Sequence, residues 1–197
     1  MIDRQREIAE TDRLARRAAQ FGKDDAVALC GAGLGLALVV RDVEDGAALI
    51  EQALVLNPNL AAAWHFGGIV RGWLGKEPEE GIEYFARAMR LSPLDPLIGH
   101  MQTGMAFAQL FAGRQDEAAA AAAKAVREAP NWAPAYLVAA ASAAFVGRTD
   151  EARSAVAKLL RLAPKYRVSN LRDVYPFGRA EDLAKFEEGL RLAGLPE

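Results

Sequence analysis

Four prolines set the frame of this chain. They stand in VLNPN (Pro58), RLSPLD (Pro93), REAPN (Pro130) and RLAPK (Pro164), at intervals of 35, 37 and 34 residues. Each follows a stretch of helical pattern that ends in Leu or Ala, and proline cannot continue a helix because it lacks the backbone N–H. Within the intervals the same grammar recurs. A glycine falls mid-interval at Gly75, Gly113 and Gly147, where a helix would end. An acidic pair follows, Glu79-Glu80, Asp116-Glu117 and Asp150-Glu151, and then a small residue, Gly81, Ala118 or Ala152. Carboxylates suit the positive end of a helix dipole, so each pair opens a second helix. The near-verbatim GRQDEA and GRTDEA make the repetition internal to the sequence. A period of this length predicts helix pairs that bury their apolar faces only by stacking on neighbours.

Composition agrees. The hydrophobic share is 52%, much of it alanine, and mean hydropathy is near zero, which argues against disorder. Alanine is small and the best helix former, so an alanine-rich, aromatic-poor chain suits close helix packing. Leu38-Val39-Val40 comes nearest to a strand pattern. The spacing predicts an all-α fold.

These residues resemble the tetratricopeptide repeat, whose pattern runs W-x₂-L-G-x₂-Y, then A-x₃-F and a late proline. Trp64, Gly67-Gly68, Gly81, Phe85, Ala88 and Pro93 carry the match. Tyr136 replaces the first aromatic in the last repeat, with Ala152, Val156, Leu159 and Pro164 following. The middle repeat keeps Ala118, Ala122, Ala125 and Pro130, and its first helix is expected to be lengthened. The earliest unit has Cys30 in the aromatic's place. The resemblance implies a right-handed helix-turn-helix solenoid forming one domain over 1–197. Its expected parts are an N-terminal helix (1–23), repeats at 24–58, 59–93, 94–130 and 131–164, and a C-terminal cap (165–197). Small residues such as Ala106 and Ala140 let paired helices approach closely. The N-terminal helix resembles the second helix of a preceding repeat, which implies a half-repeat or a piece of a longer protein.

Chemistry-bearing motifs are few. The two histidines, His65 and His100, fall on successive first helices with no HExxH or CxxC near them, so no metal site and no cofactor are expected. The lone Cys30 lacks an imidazole partner and reads as a buried thiol. Gly31-Ala-Gly33-Leu-Gly35 has neither the spacing nor the preceding strand of a phosphate loop, and small-residue packing explains it. Arg13, Arg16 and Arg17 alternate with Glu7, Glu10 and Asp12, and the net charge is −2; this is a solvated helix face, not a nucleic-acid footprint. No apolar run reaches the roughly 20 residues of a membrane helix, and the charged N-terminus is unlike a signal peptide. A cytoplasmic, non-enzymatic protein is expected.

What remains is a binding surface. In the resembled family the first helices line a concave groove, and helical spacing then nominates His65, Ile69, Gly72, His100, Thr103, Phe107, Leu137 and Ala141 as partner contacts. The set is apolar and lacks the Lys and Asn of a carboxylate clamp; it suits a peptide or an amphipathic helix. The C-terminal run EDLAKFEEGLRLAGLPE resembles the ends of repeat arrays in bacterial adenylate/guanylate cyclases and winged-helix regulators. That implies the non-catalytic part of a signalling protein. A homodimer is the alternative, because an orphan N-terminal helix leaves an apolar face for a second copy.

Overall fold

The computed structural model describes residues 4–197, in two compact units that divide between Ser92 and Pro93. The described residues are mostly helical and contain no strand. Residues 1–3 of the expected N-terminal segment lie outside them.

The first unit begins with α1 (Arg4–Phe21), followed by two helix pairs. In the first pair α2 (Ala26–Gly35) runs on into a π-helical turn, Leu36–Val40, before α3 (Val43–Leu56). In the second, α4 (Ala61–Ile69) runs into another π turn, Val70–Leu74, before α5 (Pro78–Leu91). Local chemistry starts these helices. Asp25 accepts hydrogen bonds from the backbone N–H groups of Val27 and Ala28, Asp42 accepts from Asp45, and Pro78 occupies the first turn of α5. Leu38-Val39-Val40 is therefore the wide last turn of a helix.

Backbone contact holds the pairs together. A Cβ on Gly33 would lie 2.6 Å from the Gly46 carbonyl oxygen, and one on Gly46 would lie 2.6 Å from the Gly33 oxygen. Only glycine at both positions allows α2 and α3 to cross so closely. Ile50, Ala37, Val70 and Leu74 bury one side of this crossing, and Leu29, Cys30, Ala53, Leu54 and Ala63 bury the other. Two arginines tie the elements at the surface. Arg16 of α1 reaches Asp12 at 2.7 Å, Asp42 at 2.9 Å and Asp45 at 2.8 Å. Arg71 joins Glu51 of α3 to Glu77 and Glu80.

The second unit contains α6 (Ile98–Phe111), α7 (Gln115–Glu128), α8 (Ala133–Phe145) and α9 (Thr149–Leu162). A 3₁₀ turn (Val168–Asn170), the short α10 (Leu171–Val174) and α11 (Ala180–Ala193) complete it. Here the first helices stop on left-handed glycines, Gly113 at φ 82° and Gly147 at φ 74°. The spacing assigns Gly75 the same part in the first unit. It does end the helix there, closing the π turn that follows α4, but at φ −81° rather than in the left-handed region. The middle repeat also departs from expectation: α6 is no longer than its partner α7, and the extra residues lie in the connection 92–97 that precedes it. Two prolines, Pro93 and Pro96, hold that stretch out of helix.

The proline punctuation has a structural counterpart. Trp64 Nε1 donates to the Pro58 carbonyl at 2.8 Å, and the Tyr136 hydroxyl donates to the Pro130 carbonyl at 3.0 Å. Each aromatic pins the first turn of its repeat to the end of the one before.

Candidate functional site

The nominated residues lie on first helices, and most of them are enclosed. In the first unit His65 is 5% exposed, with its ring 5.5 Å from that of Phe66 and 6.0 Å from that of Phe85. Gly72 is buried against α5, where a Cβ on Gly81 would sit 2.6 Å from the Gly72 Cα. These two are packing residues, contrary to the groove expectation. Gly72 lies inside the π turn, which winds more residues per turn than an α-helix and so rotates it away from the stripe projected from Ile69. Ile69 remains partly exposed.

In the second unit His100 is partly exposed and stacks on Trp132, ring centres 3.8 Å apart. Burial lowers its pKa and favours the neutral imidazole. Thr103 is buried and its hydroxyl donates to the Gly99 carbonyl at 2.8 Å. Phe107, Leu137 and Ala141 are fully buried. Helical spacing predicts an open groove over these four residues, and the C-terminal segment of the chain explains why Phe107 and Ala141 are closed off.

That segment lies on the first helices α6 and α8. Gly189 of α11 rests on α8 so closely that a Cβ there would be 3.0 Å from Ala141 Cβ and 2.7 Å from the Phe145 ring. One turn earlier, Phe186 meets Phe107 of α6 edge-on, with centroids 5.1 Å apart. The non-helical stretch before α11 adds Tyr175, 6.0 Å from Phe107, and Phe177, 4.8 Å from Phe111. Tyr175 is buried with its hydroxyl 3.4 Å from that of Tyr166, and burial pushes its pKa up. Two cations finish the contact. Lys185 Nζ donates to the Leu110 carbonyl at 2.8 Å and Arg179 donates to the Phe111 carbonyl at 3.2 Å. They satisfy the last carbonyls of α6 and match the negative end of its dipole. Arg179 also grips the buried Asp182 through two bonds of 2.8 and 2.7 Å. Sequence pattern marks Leu183, Phe186 and Leu190 as a capping stripe and 176–178 as a breaker. It gives no direct sign of the reach to α6, although Tyr175 and Phe177 on either side of Pro176 are more than a turn requires.

Other candidates of the sequence have plain surroundings. The Cys30 thiol is buried, donates to the Val27 carbonyl at 3.3 Å, and has its pKa raised by burial. Tyr84 donates to Glu51 at 2.5 Å, and burial together with that bond pushes its pKa up to about 12. Arg13 and Arg16 pair along α1 with Glu10 and Asp12. Among the described residues no group of three His, Cys, Asp or Glu is placed to hold a metal ion, and no helix is long and apolar enough to cross a membrane.

This arrangement of helix pairs is that of the tetratricopeptide-type solenoid, and several solved structures share it. PilW, a type IV pilus biogenesis factor, has a TM-score of 0.71 at 17% identity, covering 95% of this chain and 86% of its own. TTC0263, a thermophilic tetratricopeptide protein of Thermus thermophilus, has a TM-score of 0.66 at 18% identity, covering 92% and 99%. YrrB, a tetratricopeptide protein with an unusual peptide-binding site, has a TM-score of 0.61 at 19% identity, covering 90% and 91%. No protein-family model matches the chain, and no curated protein matches it in sequence. Identities this low make the likeness one of fold.

Proposed function

We propose that this chain is a protein-interaction scaffold that holds a peptide or amphipathic helix along its first helices and catalyses no reaction itself. The supporting observation is the packing of α11, an amphipathic helix seated by one face on α6 and α8. A surface that takes one such helix has the shape and apolarity to take another. YrrB, with its peptide-binding site, is a precedent on the same fold. Ile69 and His100 are the nominated contacts that stand partly open, and Thr103, Phe107, Leu137 and Ala141 form a second group buried in the second unit.

In this reading the chain is the regulatory, non-catalytic part of a bacterial signalling protein working in the cytoplasm, binding neither nucleic acid nor membrane. The C-terminal resemblance to cyclase and winged-helix repeat arrays supports the context, and the carboxylate-paired arginines of α1 support the exclusion of nucleic acid. A photo-crosslinking residue placed at Ile69 or His100 is expected to trap a discrete protein partner, whereas one at Ala157 on the exposed face of α9 is expected to trap none. Equal trapping at all three positions would remove the groove reading, and nucleotide cyclase activity in this chain would remove the division of labour.

Self-association is the second reading. On α1, Leu14 is 50% exposed and Phe21 is 76% exposed. A second copy covering α1 would bury both.

A further inference from the structure

The C-terminal segment has the features of a ligand joined to its own receptor. Helix α11 carries its own start and stop signals. Glu181 and Asp182 lie in its first turn and Arg191 in its last, and Gly194 at φ 90° closes it while Leu195 N–H returns to the Leu190 carbonyl. It is therefore specified as a helix by its own sequence. Five non-helical residues, Tyr175 to Arg179, join it to α10. Its seat consists of an aromatic pocket on α6, a flat alanine patch on α8, and the carbonyl end of α6. The residues after α11 are tied down by a backbone bond, Val168 N–H to the Pro196 carbonyl at 2.9 Å, with Leu195 buried beside it. The residues it covers include Phe107 and Ala141, two of those that helical spacing nominates as partner contacts.

We infer that residues 175–197 occupy the binding face of α6 and α8 in cis, and that the partner is an amphipathic helix of the same chemistry which takes the face when this segment leaves it. This rests on the reading of the first helices as the binding surface, and it names the partner's features. The partner presents a phenylalanine to Phe107, a glycine or alanine three residues later where it crosses Ala141, and a lysine or arginine near its start to cap the carbonyls of Leu110 and Phe111. Each feature corresponds to a contact that α11 makes. The cis segment sets the threshold for binding. A face that is free in about 1% of molecules lowers a partner's apparent affinity about a hundredfold.

The test uses the full chain and a labelled synthetic peptide of residues 175–197. Gly189→Arg cannot keep α11 in place, because its side chain would have to occupy the space of Ala141 and Phe145. The same change raises helix propensity within α11, so it expels the segment without melting it. The expected result is that the peptide binds Gly189→Arg at least about tenfold more tightly than it binds the unaltered chain, as a face closed in most molecules requires. Equal binding to both chains, or binding to neither while the variant keeps its helicity and cooperative unfolding, would overturn the inference. If the variant does not fold, hydrogen exchange on the unaltered chain decides. Amides of 180–193 should exchange at least about tenfold faster than those of α8, as a separately opening unit does, and equal protection would overturn the proposal. Because the peptide is this chain's own, failure to trap a partner at Ile69 or His100 would leave this result untouched. The two readings therefore fail separately.

Discussion

At the scale of the residue, Gly31 and Gly33 share a helix and differ in what lies beside them. A Cβ on Gly31 would meet nothing within 4 Å, whereas one on Gly33 would strike the Gly46 carbonyl and Ile50. Gly31→Ala is expected to stabilise the chain by about 0.5–1 kcal/mol, since it removes backbone freedom from the unfolded state without a steric cost. Gly33→Ala is expected to cost about 1–3 kcal/mol as α2 and α3 are forced apart. Urea unfolding of the two variants checks the opposite signs. Tyr84 supplies a pH dependence. Its pKa is raised to about 12 from an ordinary value near 10, so the folded state holds the proton more tightly. The contribution is complete below about pH 10 and is lost as pH rises through about 12. The urea midpoint should fall over that alkaline range, and less steeply in Tyr84→Phe; an unchanged slope would exclude Tyr84 as the cause. The remaining slope belongs in part to Tyr175, whose pKa burial also raises.

At the scale of the element, the C-terminus of α6 and the start of α11 are held by one shared arginine. Arg179→Met would leave the Asp182 carboxylate, 4% exposed, without its bidentate partner, and breaking such a buried pair typically costs about 3 kcal/mol. Arg179→Met with Asp182→Asn is expected to cost less than the sum of the two single changes, and strict additivity in that double-mutant cycle would show that the pair is not coupled. Legibility at this scale is uneven. The second helices announce themselves by an acidic opening, a small residue and a closing proline, and α3, α5, α7 and α9 follow those signals. First helices carry weaker ends. The two π turns have no signature in residue type, since an extra residue is absorbed by the wider winding of the backbone. That is why spacing alone makes Gly72 a groove residue, and the structure buries it against α5.

At the scale of the whole molecule, the exposed apolar residues of α1 bear on self-association. If a second copy covers them, light scattering should give twice the chain mass, and Leu14→Glu with Phe21→Arg should return the mass of one chain. A single-chain mass for the unaltered protein at high concentration would dismiss self-association. The proposed binding face is half legible from the sequence. Helical spacing finds the stripe on α6 and α8 that includes Phe107 and Ala141. The cover on it is not legible, because the contact between Phe186 and Phe107 joins residues far apart in the chain and matches no local pattern.

The sequence by itself determined the all-helical repeat, its period, and the starts of its second helices. Those features depend on interactions within a few residues: first-turn carboxylates, left-handed glycines and the missing N–H of proline. Tertiary structure alone decided which side of each first helix is open, where backbones touch at Gly33 and Gly46, and that α11 lies across α6 as well as α8. Such outcomes depend on which apolar surfaces meet, and burial is non-directional, so periodicity marks a face as apolar without naming what will cover it.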